Sequence, residues 1–474
     1  MNNKNKIIGG QVIASGGFGC VFSPALKCVG AKKREKNKIS KLMTEKHALE
    51  EYKEIIFLKE HLDTIPNYQD YFLIDRINIC KPSELTNTDL YQFQKCSALP
   101  KDNITKKNIN TSLDKLLSLN ILNGGLPVDD YIYKNTSFIK LIEVNNSLID
   151  LLKNGIIPMN EKNIYHCDIK DSNILIDDLK RLCRSKGVAL EKCEGLKSRL
   201  IDWGLSTYYI PGKNNTFPKT WRNRSLQFNV PFSVIIFSDI FIEKYTKYIK
   251  NDIKNDIKNE RKMDKDSLRP FVRDYIFFWI KERGQGHYKF INQIMNILFN
   301  GKHDINEKEF QNEYTLHYIE NYIIEILIHF TSDGTINLRV YLDKVFIHIV
   351  DIYGFIVTYF PYLDLFYSNV KNLNPEEMKC FQILKEIFIK YLYTPTIEPY
   401  PISEIINDFK KMNDLFQNVI NQNMRKNTKQ KRLKSSRTSK SKGVTGDTFV
   451  VKSKKMRFKK YQKKTKTKTK RIKK

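Results

Sequence analysis

The sequence predicts an α+β protein with a strand-rich front third, a central cluster of loops, a helix-rich rear half and a disordered basic tail. Three observations support this fold class. Residues 7 to 27 alternate apolar residues around a glycine cluster, which is typical of two strands joined by a tight turn. From about 236 to 423, aromatic and aliphatic residues recur at helical spacing. After residue 423 the composition becomes almost wholly basic and polar.

Length, composition and cysteine usage indicate a large protein that folds inside a cell. At 474 residues, of which 41% are hydrophobic, the chain has enough apolar surface for two to three structural units. The first ten residues lack an apolar signal core, so we expect no secretion. The eight cysteines show no CxxC pair and predict reduced thiols in an intracellular setting. The most apolar stretch, 345–360, is interrupted by His348 and Asp351, which favours a buried helix and no transmembrane segment.

The net charge of +29 is concentrated in the tail. Residues 424–474 contain 23 Lys and Arg against one acid, Asp447, which leaves about +7 for residues 1–423. A segment with so little apolar surface predicts disorder. Its charge suits a nucleic acid or another acidic partner, although a solubilising or import role fits the composition equally well.

The remaining elements follow from periodicity. Residues 38–43 predict a strand and 45–62 an amphipathic helix that ends before Pro66. Residues 137–144 predict a buried strand, followed by a helix that begins at Asn146 or Ser147. A basic insertion at 178–198 precedes a short apolar strand and "DWG".

Two loops carry residues suited to phosphate chemistry. In "ASGGFGCV" (14–21), glycines allow backbone N–H groups to approach phosphate oxygens without a Cβ in the way. In "HCDIKDSN" (166–173), Asp168 is able to take or orient a hydroxyl proton, Lys170 to neutralise a phosphoryl group, and Asn173 to bind a metal through its carbonyl. Asp202, which follows an apolar strand, suits a second oxygen ligand for Mg²⁺.

In this order, these motifs resemble the protein kinase superfamily, and most of all the divergent Ser/Thr protein kinases encoded by large nucleocytoplasmic DNA viruses. The resemblance covers residues 7 to about 205. It implies a bilobal fold with a β-rich N-lobe (1–142), which includes a polar insertion, and a mostly helical C-lobe (143–423), followed by the tail. It also implies ATP and Mg²⁺ as cofactors, with Mn²⁺ as an alternative, a protein substrate, and a location in the host cytoplasm or virion.

The resemblance assigns roles to particular residues. Asp168 and Lys170 become catalytic, with Asp168 as the base, and Asn173 and Asp202 become the metal ligands. We expect the adenine near Ile13, Val21 and a hinge around Glu143. The full set expected to bind the nucleotide is Ile13, Ala14, Gly16, Gly17, Phe18, Gly19, Val21, Lys41, Glu54 and Glu143.

The ATP lysine and its glutamate partner each have an alternative. Lys27 lies only eight residues after Gly19, too close for the second strand to finish and return, so we favour Lys41 on its own strand. Glu54 fits the helix pattern of the family better than Glu51, which shares its face. Alternatively, these glutamates simply pair with lysines on the surface.

The chain departs from the family pattern at three residues and lacks one motif. Ala14 replaces the first glycine, Trp203 replaces the phenylalanine of D-F-G, and no A-P-E follows. Cys167 replaces an arginine that in the family holds a phosphorylated activation loop, so we expect no control by such phosphorylation. We interpret Cys167 as a small packed residue, with a reactive thiol as the alternative.

Asp351 lies in a sequence similar to a later helix of the family, where the aspartate anchors the catalytic loop. If so, residues 238 to 340 form a helical insertion; a core aspartate with another partner is the alternative.

Taken together, the motifs make a Ser/Thr protein kinase the leading hypothesis. The alternatives are a small-molecule phosphotransferase, which Lys170 disfavours, and a catalytically weak nucleotide-binding protein whose working part is a nucleic-acid-binding tail.

Overall fold

A computed structural model of the chain describes residues 10–179, 195–213, 216–253, 264–299 and 313–435. Within these ranges the protein combines small antiparallel sheets with a larger number of helices. The α+β class predicted from the sequence is therefore confirmed.

The front of the chain forms a five-stranded antiparallel sheet with the strand order β1-β2-β3-β5-β4. Its strands are β1 (Gln11–Ser15), β2 (Gly19–Ser23), β3 (Lys38–Thr44), β4 (Asn78–Cys80) and β5 (Leu116–Leu122). The central strand, β3, pairs with both β2 and β5, so a residue of β3 is held from two sides.

One face of this sheet is covered by the helix α1 (Glu45–Leu62). Of the apolar residues at helical spacing, Ala48, Ile55, Leu58 and Leu62 are buried, as the periodicity predicts, whereas Tyr52 is half-buried and Ile56 is exposed. The helix follows β3 directly, because Thr44 has extended backbone angles and Glu45 begins the helix. The position of α1 beside β3 is therefore set by a connection without a loop.

The opposite face is covered by residues 81–115, which contain only short 3₁₀ turns. Leu90, Phe93 and Leu99 of this segment join Phe22 and Leu42 of the sheet in a small second core. Two disulfides attach the segment and its entrance to the front of the chain, Cys20–Cys96 and Cys28–Cys80, with Cα separations of 5.3 and 5.8 Å.

The expectation that all cysteines are reduced thiols is wrong for these four. The partners lie 76 and 52 residues apart. Cys96 reaches Cys20 because residues 81–115 fold back over the sheet, and Cys80 lies at the end of β4, next to the bridge between Cys28 and Pro82. Spacing along the chain therefore carried no sign of the pairing. Among the described cysteines, Cys167 and Cys380 are free and buried.

The central part of the chain alternates short strands with helices. It contains β6 (Leu126–Pro127), α2 (Val128–Lys134), α3 (Phe138–Leu151), α4 (Ile157–Glu161), β7 (Ile164–Tyr165), β8 (Ile174–Asp178), β9 (Leu196–Leu200) and β10 (Thr207–Tyr208). Strands β6, β8 and β9 form an antiparallel sheet, and β7 pairs with β10. Residues 166–173 lie between β7 and β8.

The strand predicted at 137–144 is wrong, because these residues form the first half of α3. Ser137 caps the helix by accepting a hydrogen bond from the Lys140 N–H at 3.4 Å. The buried residues Phe138, Leu141, Val144 and Leu148 recur every three to four positions. An apolar run this short fits either element by pattern alone.

The rear of the chain is helical, as predicted. Its helices are α5 (Lys219–Arg222), α6 (Asp239–Tyr248), α7 (Lys265–Arg283), α8 (Tyr288–Leu298), α9 (Glu313–Phe330), α10 (Leu338–Tyr341), α11 (Ile347–Val357), α12 (Phe360–Tyr367), α13 (Pro375–Phe388) and α14 (Ile402–Ser435). A hairpin of β11 (Thr331–Ser332) and β12 (Thr335–Ile336) precedes α10.

The apolar stretch at 345–360 contains α11, in which every residue except the exposed His348 is buried, so the predicted buried helix is confirmed. Across the described part of the chain, no helix combines the length and the apolar character needed to cross a membrane. At the end of the chain, α14 continues to Ser435, so the predicted disorder is wrong for residues 424–435. The rest of the tail, the first nine residues and most of the basic insertion (180–194) lie outside the described residues.

Candidate active site

The glycine cluster forms the turn between β1 and β2. The Gly16 N–H donates to the Gly19 carbonyl at 2.9 Å and closes the turn. A Cβ on Gly19 would lie 2.3 Å from Met43 Cγ and 2.9 Å from the Leu42 carbonyl oxygen of β3, whereas a Cβ on Gly17 would contact nothing within 4 Å. Packing against β3 therefore requires glycine at position 19, and Gly17 presents an open backbone at the tip.

The other residues predicted at this turn lie around it. Ile13, Ala14 and Phe18 are exposed, and the Phe18 ring packs on His47 of α1 with centroids 4.5 Å apart. Val21 lies directly opposite Lys41 in the pairing of β2 with β3. The turn and Lys41 therefore border one surface of the sheet.

Residues 96–98 hold both strands of the turn in place. The Ser15 hydroxyl on β1 accepts hydrogen bonds from the backbone N–H groups of Ser97 and Ala98, at 3.0 and 3.2 Å. Cys20 on β2 is bonded to Cys96. The segment that covers the sheet thus fixes the base of the turn while leaving its tip exposed.

Lys41 joins the sheet to α1 and to the "DWG" sequence. Its ammonium donates to both carboxylate oxygens of Glu51 at 2.7 Å, and lies 3.5 Å from Oδ1 of Asp202. Burial alone would lower the pKa of Lys41, but the carboxylates of Asp202 and Glu51 outweigh it and raise the pKa above its ordinary value. A permanent positive charge is therefore placed beside Asp202.

The structure differs from the expectation that Glu54 is the partner of Lys41. Glu54 is one turn further along α1, and its carboxylate accepts a hydrogen bond from the Ser206 hydroxyl at 3.1 Å. The two glutamates share a face of the helix, but only Glu51 lies level with Lys41. The alternative lysine, Lys27, is exposed.

The loop between β7 and β8 gathers polar side chains around Asp168. The Lys170 ammonium donates to Asp168 Oδ2 at 2.7 Å. The Asn173 amide nitrogen donates to the Asp168 backbone oxygen at 2.8 Å and to Oδ2 at 2.9 Å. Burial alone would raise the pKa of Asp168, but the charges of Lys170 and Arg224 outweigh it and hold the pKa below its ordinary value. Asp168 is thus ionised and fixed.

Asp351, on α11, anchors this loop from below. One of its oxygens accepts from the His166 N–H and the other from the Cys167 N–H, both at 2.8 Å. The Asn160 amide also donates to Asp351 at 2.8 Å. Close packing accompanies the anchor, because a Cβ on Gly354 would lie 2.6 Å from the Ile169 carbonyl oxygen. The role expected for Asp351 is confirmed by these contacts.

Asp202 lies at a sharp turn next to the same loop. Its φ of 67° is in the left-handed region, and its side chain is exposed. The N–H of Ile201 donates to the Asn173 carbonyl at 3.0 Å, so the two predicted metal ligands belong to adjoining backbone segments. Trp203 is buried and packs on His166 and Phe72, with centroids 4.9 and 5.7 Å away. The tryptophan anchors the turn that presents Asp202.

The donor atoms near this turn fit a hard cation that also binds phosphates. The nitrogen of the Asn173 amide faces Asp168, so its oxygen is the atom suited to a metal, together with the Asp202 carboxylate. No group of three or more His, Cys, Asp or Glu with metal-binding geometry occurs among the described residues. Two protein oxygens fit Mg²⁺ held largely by phosphates and water, and not a site built wholly from protein ligands.

The expectation of a hinge around Glu143 is wrong. Glu143 lies on the surface of α3, where its carboxylate pairs with Lys140 at 2.5 Å. The chain instead leaves the five-stranded sheet at Leu122 and enters β6 through residues 123–125. Gly125 has a φ of 104°, and a Cβ there would lie 2.0 Å from the Ile176 carbonyl oxygen, so this short connection requires glycine.

Cys167 is a packed residue. Its sulfur is buried and accepts a hydrogen bond from the Trp221 indole N–H at 3.2 Å. Burial raises the pKa of the Cys167 thiol well above its ordinary value, which suppresses the reactive thiolate.

The structure adds site residues that sequence reasoning missed. Asn229 donates to Asp168 Oδ1 at 2.8 Å, and the Arg224 guanidinium lies 3.8 Å from the same oxygen. Both belong to the segment after "DWG", whose departure from the family pattern was visible, although the pattern indicated no role for either residue.

The comparisons with known proteins leave the family open. No protein-family model matches the chain, and no curated protein sequence matches it.

Proposed function

We propose that the protein is an ATP- and Mg²⁺-dependent Ser/Thr protein kinase. The observation that carries the proposal is the position of Lys41, which contacts both Glu51 of α1 and Asp202. A lysine that is fixed by one carboxylate and lies beside a second suits the binding of a phosphate whose metal ion is held by the second carboxylate. The resemblance in sequence motifs supports the same conclusion.

Under this proposal the five-stranded sheet with α1 forms the smaller lobe, and the helical remainder forms the larger lobe. Nucleotide would lie between them, beneath Gly16 to Gly19, with Ile13 and Val21 beside the adenine. The linker at 123–125 replaces Glu143 as the hinge, because it joins the sheet to the rest of the chain. Lys41 would then hold the phosphates at the inner end of the cleft.

Asp168 is the proposed base. It is ionised, and hydrogen bonds to both of its oxygens fix its orientation toward an acceptor hydroxyl. Lys170 lies at the carboxylate and would balance the charge of the transferred group. Asn173 and Asp202 would hold Mg²⁺, which supplies charge neutralisation for the phosphates when bound. No covalent intermediate on the protein is required.

A phosphoryl-transfer assay tests the proposal. The full-length protein, incubated with radiolabelled ATP, Mg²⁺ or Mn²⁺ and a basic protein acceptor, is expected to transfer the γ-phosphate to serine or threonine. Asp168→Asn and Lys41→Met should each reduce the rate by about 100-fold or more, because each removes a group that acts on the transition state. Lys27→Met is the matched control and should retain activity, because Lys27 is exposed.

Two outcomes would overturn the proposal. A wild-type protein that is inactive with both metals would favour a nucleotide-binding protein that works through its basic tail. In that case the 424–474 peptide should bind DNA or RNA with an affinity that falls steeply with salt. Transfer to small hydroxyl metabolites, but not to proteins, would indicate a small-molecule phosphotransferase.

A further inference from the structure

Three residues of the segment after "DWG" make four contacts with the dipeptide Cys167–Asp168. The Trp221 indole donates to the sulfur of Cys167 at 3.2 Å. The Arg224 guanidinium donates to the Cys167 carbonyl oxygen, and its second nitrogen lies 3.8 Å from Asp168 Oδ1. The Asn229 amide donates to that same Oδ1 at 2.8 Å. Trp221, Arg224 and Asn229, which lie within one stretch of nine residues, thus hold the proposed base and the residue before it.

The other side of this segment is held by the helices that follow. The Trp279 indole of α7 donates to the Arg224 carbonyl at 2.8 Å. The His287 N–H, just before α8, donates to the Leu226 carbonyl at 2.8 Å. Gly286 packs so closely that a Cβ there would lie 2.0 Å from the same carbonyl oxygen. The segment is therefore fixed from both sides by contacts that the folded chain itself provides.

Arg224 carries its positive charge in the buried interior of the protein. Its side chain is 5% exposed, and a guanidinium remains protonated even when buried. Among the acidic residues in the described part of the chain for which a contact with Arg224 is observed, Asp168 has the carboxylate nearest to the guanidinium. Its second nitrogen also donates to Gln227 at 2.6 Å, so the planar group is oriented by at least two hydrogen bonds. An oriented buried cation of this kind restricts the position of a neighbouring carboxylate.

We propose that Arg224, assisted by Asn229, is a positioning residue that holds Asp168 ready for catalysis without any phosphorylation of the segment after "DWG". This inference rests on the proposed kinase function and adds its regulation. In the kinases that the chain resembles, the position of Cys167 carries an arginine that reaches outward to a phosphate. Here the cation comes inward from the segment itself, so the link between segment and loop is permanent.

Other charged or titratable groups also face Asp168. Lys170 lies on its own loop, and His287 lies next to α8. His166 and Asp351 lie below the loop. All of these groups remain in every variant considered, so a change at Arg224 removes only the contacts that Arg224 itself makes.

The test compares Arg224→Gln and Arg224→Lys with the wild-type enzyme. We expect Arg224→Gln to lower kcat by about 100-fold, since a misplaced base loses this much, and to leave the KM for ATP within about threefold. Arg224→Lys keeps the charge but not the planar fork, so it should recover part of kcat. Phosphatase treatment of the wild-type enzyme should leave its rate unchanged.

Arg199→Gln is the matched control, because Arg199 is a largely buried arginine paired with Asp177 at 2.9 Å outside the site. It should lower the melting temperature but leave kcat and the KM for ATP as in the wild type. Thermal shift with an ATP analogue identifies the variants that remain folded. If Arg224→Gln does not fold, Asn229→Ala replaces it, with an expected loss of about tenfold in kcat at unchanged KM for ATP.

The outcomes separate this inference from the proposed function. A wild-type enzyme that transfers no phosphate overturns the function itself. An active wild-type enzyme that phosphatase silences overturns the inference alone. So does a folded Arg224→Gln variant with wild-type kcat, or, where Asn229→Ala has replaced it, a wild-type kcat in that variant.

Discussion

The ammonium of Lys41 donates to both carboxylate oxygens of Glu51, at 2.7 Å each, across the contact between β3 and α1. Because α1 follows β3 without a loop, the register of the helix against the strand is set by the chain itself. The same ammonium lies 3.5 Å from Asp202, which follows β9 far along the sequence. Through these contacts, Lys41 links the five-stranded sheet to the part of the chain that carries Asp168.

This geometry predicts that Glu51, and not Glu54, is required for activity. Glu51→Gln removes the charge that orients Lys41, and we expect kcat/KM to fall by about 10- to 100-fold. Glu54→Gln is the matched control, because it loses only a hydrogen bond from Ser206 and should stay within about threefold of the wild type. Kinetics with varied ATP measures both. A larger loss in Glu54→Gln than in Glu51→Gln would contradict the observed register.

The choice between these glutamates shows where sequence reasoning stops. The helix 45–62 was predictable because its apolar residues repeat over five turns. The preference for Lys41 over Lys27 depended on the short distance along the chain between Lys27 and the glycine turn. Glu51 and Glu54 share one face of the helix, so helical spacing does not indicate which of them contacts Lys41. Only the angle between helix and sheet separates them, and that angle depends on packing.

Other errors have the same origin. Residues 137–144 were predicted as a strand because seven or eight apolar-rich residues do not contain enough periods to separate a helix from a strand. The hinge at Glu143 depended on that strand and was lost with it. Asp351 was found because a local pattern marks it. Arg224 was not, because its contact with Asp168 joins segments 56 residues apart and leaves no local pattern.

Asp351 is predicted to stabilise the fold as well as the site. In Asp351→Asn, an amide N–H₂ would face the N–H of His166 or Cys167, leaving one buried donor without a partner. We expect the free energy of unfolding to fall by about 2 to 4 kcal/mol. Chemical denaturation measures it, with Asp150→Asn, an exposed residue of α3, as the control. Equal losses in the two variants would show that the anchor does not stabilise the loop.

The Arg34–Asp89 pair predicts a pH-dependent stability. The Asp89 carboxylate accepts from Arg34 at 2.6 and 2.7 Å, from the Thr86 N–H at 2.8 Å and from the Gly10 N–H at 2.8 Å, just before β1. Burial alone would raise the pKa of Asp89, but the hydrogen bonds from Arg34 and Thr86 outweigh it and lower the pKa. A lowered folded-state pKa contributes stability above the unfolded value of about 3.9, and this contribution is lost as the pH falls through the folded value.

Asp89→Asn should therefore lower the melting temperature most near pH 7, and the difference from the wild type should shrink as the pH falls below about 4. Differential scanning calorimetry across this range measures it. Asp102→Asn is the control, since Asp102 is exposed in the same segment and should show little difference at any pH. A difference for Asp89→Asn that stays constant with pH would show that packing, and not the charge, provides the stability.

The disulfide between Cys20 and Cys96 is predicted to stabilise the sheet and the glycine turn together. It closes a loop of 76 residues, and Cys20→Ser should lower the free energy of unfolding by about 4 kcal/mol under oxidising conditions. Because Cys20 is the second residue of β2, the return strand of the turn, the KM for ATP should also rise. Cys380→Ala is the control, since Cys380 is a free buried thiol, and it should keep the wild-type response to reductant.

Peptide mapping without reduction should recover Cys20 joined to Cys96, and a labelled free thiol at Cys20 in the oxidised, folded protein would contradict the pairing. The loss of affinity for nucleotide distinguishes a bond that shapes the turn from one that only stabilises the fold.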